Sequence, residues 1–138
     1  MTASAFVDTN VFLYSIDEEP ASAQKRLRAQ QILLAGGWGW SVQVAAEVYV
    51  NATSERRQFR LKREDAVSLV ENWFKFPTQE MSPDVVRGAF QLQSRYHLSY
   101  WDAAILSAAK QLGCPIVYSE DMTAGQIYDG VQVVNPFL

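Results

Sequence analysis

One cysteine, one histidine and no excess of positive charge limit the chemistry open to this 138-residue chain. A single cysteine, Cys114, excludes an internal disulfide and a cysteine-rich zinc site. Its setting, Gly113-Cys114-Pro115 beside an apolar stretch, reads as a small buried hydrophobe rather than a reactive thiol. The one histidine, His97, ends a helical pattern, where it suits the helix dipole better than chemistry. One such histidine and one such cysteine are poor material for a Ser-His-Asp or Cys-His mechanism. No apolar run approaches the ~18–20 residues of a membrane span. The first residues also lack the basic and apolar regions of a signal peptide, so a cytoplasmic protein with no membrane contact is expected. Twelve Lys and Arg against 15 Asp and Glu leave a net charge of −3. A polyanionic partner would therefore need a local basic patch. Gly36-Gly37-Trp38-Gly39 has neither dinucleotide-binding nor P-loop spacing and reads as a turn. Repeats, low-complexity segments and linkers are missing too, which predicts a single domain over 1–138, long enough to bury roughly 68–70% of its unfolded surface. With 49% apolar and 20% charged residues, the composition is that of a globular chain.

What is present begins at Ala5-Phe6-Val7-Asp8-Thr9-Asn10. Three apolar residues end in a carboxylate, which reads as a short buried strand with an acid at its C-terminal tip. A helix is predicted from Val11 to Ile16, a second over Ala21 to Ala35, and a strand over Trp38 to Val42. Near the other end, Pro115-Ile116-Val117-Tyr118 runs into Ser119-Glu120-Asp121 in the same way. In open α/β sheets, ligands bind beyond the strand C-termini. If the two strands are parallel neighbours, Asp8 and Asp121 converge. A polar turn through Gly125 and a last strand over Val131 to Val134 close the chain.

Two predicted helices carry further acids. Gln43 to Ser54 is apolar nearly all round, with Glu47 and Asn51 as its narrow polar stripe, so it is expected to be buried. A lone carboxylate there needs a partner or a metal. Ser99 caps the other helix, and Asp102 fits the capping-box position. Asp102 nevertheless falls on the apolar side of the wheel, between Ile105 and Leu106. Arg63 to Lys75 and Ser82 to about His97 are also predicted helices, joined by an irregular or edge strand over Phe76 to Met81. Arg56, Arg57, Arg60, Lys62 and Arg63 crowd the stretch before them. That run is either a solvated helix end or a phosphate-contacting patch, with Arg56, Arg57 and Arg60 its candidates.

Asp8, Glu47, Asp102 and Asp121 are thus the candidate site acids. Each like-charged pair at ~4 Å costs about 4 kcal/mol at an effective dielectric near 20. If all four meet, either some are protonated or a divalent cation sits among them. All-oxygen ligands select a hard ion, Mg²⁺ or Mn²⁺. Such an ion activates water and suits phosphodiester hydrolysis. Thr9, Asn10 and Ser119 are placed to orient the carboxylates or the water.

Five stretches carry a family resemblance: Phe6-Val7-Asp8-Thr9-Asn10-Val11, Gln43-Val44 through Glu47, Ser99-Tyr100-Trp101-Asp102-Ala103-Ala104-Ile105, Ser119-Glu120-Asp121-Met122 and Val134-Asn135-Pro136-Phe137. In this order and spacing the chain resembles the PIN-domain nucleases, and among them the VapC-type toxins of type II toxin–antitoxin modules. The resemblance implies a three-layer α/β/α sandwich with a mostly parallel sheet. It implies a metal-dependent endoribonuclease whose four acids fall on Asp8, Glu47, Asp102 and Asp121, with Asp8, Asp102 and Asp121 holding Mg²⁺ or Mn²⁺. Glu120 is an alternative or a supporting neighbour for the last of them. An RNA substrate, a small cognate antitoxin and a homodimer are implied as well. A non-catalytic RNA-binding or regulatory protein on the same fold is the competing reading. A haloacid-dehalogenase-like phosphotransferase also opens on a strand-tip Asp, but that family wants a second Asp where this chain has Asn10.

Overall fold

A computed structural model describes residues 2–138. Strand β1 (Ala5–Val7) is wholly buried and hands the chain to helix α1 (Thr9–Ser15). A 3-10 turn at Pro20–Ser22 precedes α2 (Ala23–Ala35). Then come β2 (Trp38–Ser41), α3 (Val42–Ala52), α4 (Arg63–Trp73), the two-residue β3 (Thr78–Gln79), α5 (Pro83–Tyr96) and α6 (Tyr100–Gln111). Strands β4 (Ile116–Tyr118), β5 (Ile127–Tyr128) and β6 (Val131–Val134) complete the sheet.

The sheet order is β3-β2-β1-β4-β6-β5. All pairings are parallel except β5 with β6. Right-handed crossovers settle the layers. From β1 to β2 to β3 the chain moves outward in one direction, so α1 to α4 lie on one face. From β3 it returns past β1 to β4, so α5 and α6 cover the other. Helix α6 accordingly packs across β2, β3, β4 and β6. The expected α/β/α architecture with a mostly parallel sheet is what the chain adopts.

Local chemistry explains the boundaries. Ser41, Ser82 and Ser99 each accept a hydrogen bond from the backbone N–H three residues on, capping α3, α5 and α6. Asp8 caps α1 by accepting from Thr9 N–H at 2.7 Å, so the helix starts two residues before the apolar run begins. His97 ends α5 in the left-handed conformation, φ 57°. The core centres on Phe12, whose ring lies 4.9 Å from Trp40, 4.9 Å from Trp73 and 5.2 Å from Trp38. On the opposite face, α5 and α6 meet at Gly88, where a Cβ would come within 2.3 Å of Ser107 Oγ. That hydroxyl donates instead to Val85 O at 2.7 Å.

Two expectations are corrected here. The polar segment after Asp121 is not simply a turn, because Ile127–Tyr128 pairs antiparallel with β6. Asp129-Gly130, with φ 48° and 87°, makes the tight hairpin; both central residues need positive φ, which Asp-Gly supplies. Helix α3 is not buried all round either: Val42, Ala46 and Val50, one face at four-residue spacing, are exposed. None of the described residues packs over that face. Cys114 is buried as expected, and burial pushes its thiol up to about 11.

Candidate metal and nucleic-acid site

Strands β1 and β4 are neighbours from which the chain moves on in opposite directions along the sheet, from β1 toward β2 and from β4 toward β6. A parallel sheet opens a crevice at such a switch point, beyond the strand C-termini. Asp8 leaves β1 there, its N–H donating to Tyr118 O at 3.1 Å. Ser119, Glu120 and Asp121 leave β4 there. Helix α3 brings Glu47 from one face, and the first turn of α6 brings Asp102 from the other. All four candidate acids line one crevice of about 210 Å³, together with Thr9, Asn10, Gln43, Asn51, Leu13, Ile105 and Trp101.

The predicted supporting residues hold the carboxylates. Ser119 Oγ donates to Asp8 Oδ2 at 2.8 Å, and the same oxygen accepts from Asp121 N–H at 3.2 Å. Thr9 Oγ1 donates to Glu47 Oε2 at 2.6 Å, and Asn10 Nδ2 donates to Asp121 Oδ2 at 2.9 Å. Three short polar side chains therefore orient three of the acids. Gln43 is a fourth such residue, donating to Glu47 Oε1 at 3.1 Å. Sequence reasoning assigns Gln43 no role; its position one turn before Glu47 is the available signal. Asp102 stands apart. Its backbone N–H is capped by Ser99, while its carboxylate lines the crevice.

Glu120 faces elsewhere. Its carboxylate accepts from Tyr14 Oη at 2.7 Å and from Lys25 Nζ at 3.0 Å, and it does not line the crevice. Of the two acids left open by the sequence, Asp121 faces the other three. Glu120 makes no contact that orients the group; its charge acts on Asp121 as a like charge, raising that carboxyl.

Among the described residues no lysine or arginine lines the crevice. Burial pushes the Asp8 carboxyl up to about 6, against the lowering pull of its bonds from Thr9 and Ser119; the charges of Asp121 and Glu47 add to the rise. Asp121 is also raised, by partial burial and then by Glu120 and Asp102. The acids thus feel one another without an internal cation to compensate them. Among the described residues no three His, Cys, Asp or Glu side chains stand ready-placed around a metal position. An open, oxygen-only, uncompensated set of this kind fits a hard divalent ion that keeps several of its own waters. It does not fit zinc in a closed tetrahedral cage.

A family model described as PIN domain matches residues 5–128, most of the chain and every element from β1 through β5. The chain belongs to the PIN domain family. Its fold recurs in a toxin–antitoxin complex from Klebsiella pneumoniae, with TM-score 0.67 at 23% identity over 96% of this chain and 98% of that one. Mycobacterium tuberculosis VapC20, described as a Sarcin-Ricin loop cleaving toxin, superposes with TM-score 0.65 at 18% identity over 86% and 90%. FitAcB from Neisseria gonorrhoeae gives TM-score 0.64 at 19% identity over 96% and 98%. Comparison of the sequence with curated proteins finds no significant match.

The basic stretch of this PIN domain divides in three. Arg57 is half-buried and donates to Leu13 O at 3.1 Å, tying the loop after α3 to α1. Arg56 and Arg57 border a depression that shares Leu13 and Asn51 with the acid crevice. Arg60 lies on a separate depression with Lys62 and Arg63, and its nearest acid, Glu55, is 3.9 Å away. Among the described residues no helix is long and apolar enough to cross a membrane.

Proposed function

We propose that this PIN domain is a divalent-metal-dependent endoribonuclease, acting as the toxin of a type II toxin–antitoxin pair. The observation that carries the reading is the convergence of Asp8, Glu47, Asp102 and Asp121 on one crevice with no basic residue among its described lining. Asp8, Asp102 and Asp121 would hold Mg²⁺ or Mn²⁺. When bound, the ion supplies an activated water and neutralises the phosphodiester charge. Glu47, fixed from both sides by Thr9 and Gln43, is oriented to take a proton from the attacking water. Ser119, Thr9 and Asn10 keep the carboxylates from turning away, as groups behind ligands do.

A small antitoxin partner, a homodimer and a cytoplasmic site of action complete this reading. The antitoxin is supported by the toxin–antitoxin complexes among the structures of similar fold. The exposed face of α3 supports a protein contact of some kind. The competing reading is a non-catalytic RNA-binding or regulatory PIN domain.

Incubation of the purified protein with labelled structured RNAs separates the two. We expect cleavage in Mg²⁺ or Mn²⁺ that a chelator stops. RNA that is bound and left intact in every metal condition would establish the alternative instead.

The basic stretch gives a second expectation. Removing the charges of Arg56 and Arg60 should weaken RNA binding and reduce the slope of log K against log salt by about 0.7 for each phosphate no longer neutralised. Arg57 is excluded from the pair because its loss also frees the loop it anchors. An unchanged slope would assign the stretch to solvent or to the antitoxin.

A further inference from the structure

Four tryptophans are present, and three are core residues: Trp38 is 1% exposed, Trp40 0% and Trp73 8%. Trp101 is 63% exposed. It occupies the second position of α6, directly before Asp102, and it lines the acid crevice. An indole this exposed, beside four carboxylates, buries little of itself in the fold. Among the described residues its aromatic neighbour is Tyr100, which meets it edge-on at 5.0 Å and 79°. Contact of that kind steadies the indole and leaves most of its surface open.

We propose that Trp101 is the stacking platform for an unpaired base of the RNA substrate, next to the phosphodiester held over the acids. The inference rests on the nuclease reading above and adds the residue that seats the nucleotide beside the scissile bond. Three features carry it. A phosphate over the acids would need a cation, since no arginine or lysine is among the crevice's described lining, so part of the affinity for the flanking nucleotide comes from other groups. Within an otherwise polar lining, Leu13 and Ile105 supply apolar contact that a base can use and a phosphate cannot. A base inside a duplex cannot present its face to an indole, whereas a splayed base stacks on an aromatic ring whatever its identity. Phe90, 57% exposed on α5, lies 6.1 Å from Tyr100 but does not line the crevice. It therefore serves as a probe of the alternative occupant, a protein surface.

Trp101 is also a selective reporter, because of the four tryptophans it alone is open to solvent. Wild-type protein in Mg²⁺ is mixed rapidly with a single-stranded oligoribonucleotide, and emission is followed before product accumulates. Stacking should quench the solvent-exposed emission and shield it from acrylamide. A duplex, or a strand of the same length carrying abasic sites, should do neither. Alanine substitution, Trp101→Ala, should lower apparent affinity by about 10–100-fold, read in KM, with Trp101→Phe restoring most of it. Thermal melts of both variants check that the fold is kept.

Quenching that is equal with the abasic strand would overturn the proposal, as would a Trp101→Ala variant that cleaves with wild-type KM. In the second case the wild type still cleaves, so the nuclease reading survives. A wild type that neither cleaves nor shows quenching removes both. If RNA leaves the emission unchanged while Trp101→Ala and Phe90→Ala each dissociate a dimer on gel filtration, the indole belongs to a contact between copies and the proposal is wrong.

Discussion

Asp8→Asn is expected to move activity and stability in opposite directions. On the proposed function, in which Asp8 holds the ion, cleavage should fall by at least about 10³-fold, because the loss of a metal ligand forfeits several kcal/mol of charge stabilisation. The metal-free protein, by contrast, should become more stable above pH 7. Asn caps a helix as well as Asp, and the Ser119 hydroxyl can turn to accept from its amide. What disappears is a buried charge. In the folded protein the Asp8 carboxyl is raised to about 6 from 3.8. The folded state thus binds this proton more tightly than the unfolded one. Its stabilising effect is complete below about pH 4 and is lost as pH rises through about 6. Two pH units correspond to about 3 kcal/mol at most, and the amide should recover about 1–2 kcal/mol of it. For a chain of this length that is roughly 3–8 °C in the thermal midpoint. Melts in chelator at pH 5 and pH 8 test both halves. Wild type should gain stability on acidification, and the variant should gain less. Mg²⁺ at about 100 times its dissociation constant should raise wild-type stability by about 2.7 kcal/mol, and that gain should largely vanish in the variant. A variant less stable than wild type at pH 8 without metal would show that Asp8 is a structural anion and not one awaiting a cation.

Truncating Phe12 should produce the largest loss of stability. The ring is 0% exposed and touches three tryptophan rings. Phe→Ala at such a site costs about 3–5 kcal/mol in transfer and cavity terms, against a total of about 5–15 for a domain. The functional consequence follows from chain position. Phe12 anchors α1, whose N-cap and first turn are Asp8, Thr9 and Asn10, so three site residues share its footing. Urea denaturation of the metal-free Phe12→Ala variant should show a lower midpoint with an unchanged slope. Cleavage should suffer even where the protein remains folded. A loss below about 1 kcal/mol would mean that the cluster relaxes into the space and does not hold α1.

Much of the fold is legible in one dimension because its signals are local. Apolar triplets ending in Asp8 and in Ser119 mark two parallel strands, and Ser41, Ser82 and Ser99 mark helix starts. The misses have local causes as well. A two-residue strand such as β5 is too short for periodicity to register, although Asp129-Gly130 is a hairpin signal in plain view. The all-round apolar character of α3 suggests burial because periodicity describes a helix and not its surroundings. Val42, Ala46 and Val50 have no neighbour among the described residues to cover them. Gln43 escapes a linear reading because glutamine has no titration signature; its place one turn before Glu47 is a hint that its bond to Glu47 makes plain.

By itself the sequence determined the family, the strand-tip acids and the poverty of histidine, cysteine and basic charge that turns attention to oxygen ligands. Those are properties of single residues and of their near neighbours along the chain. Tertiary structure alone decided that Asp121 enters the crevice while Glu120 turns to Lys25 and Tyr14. It also decided that Arg57 is tied to α1, and that one tryptophan of four stands in water beside the acids. Each depends on what another segment, distant along the chain, places opposite the side chain. A linear pattern specifies which way a residue faces from its own element, but the partner it meets there is settled only when the sheet closes and both helical layers pack.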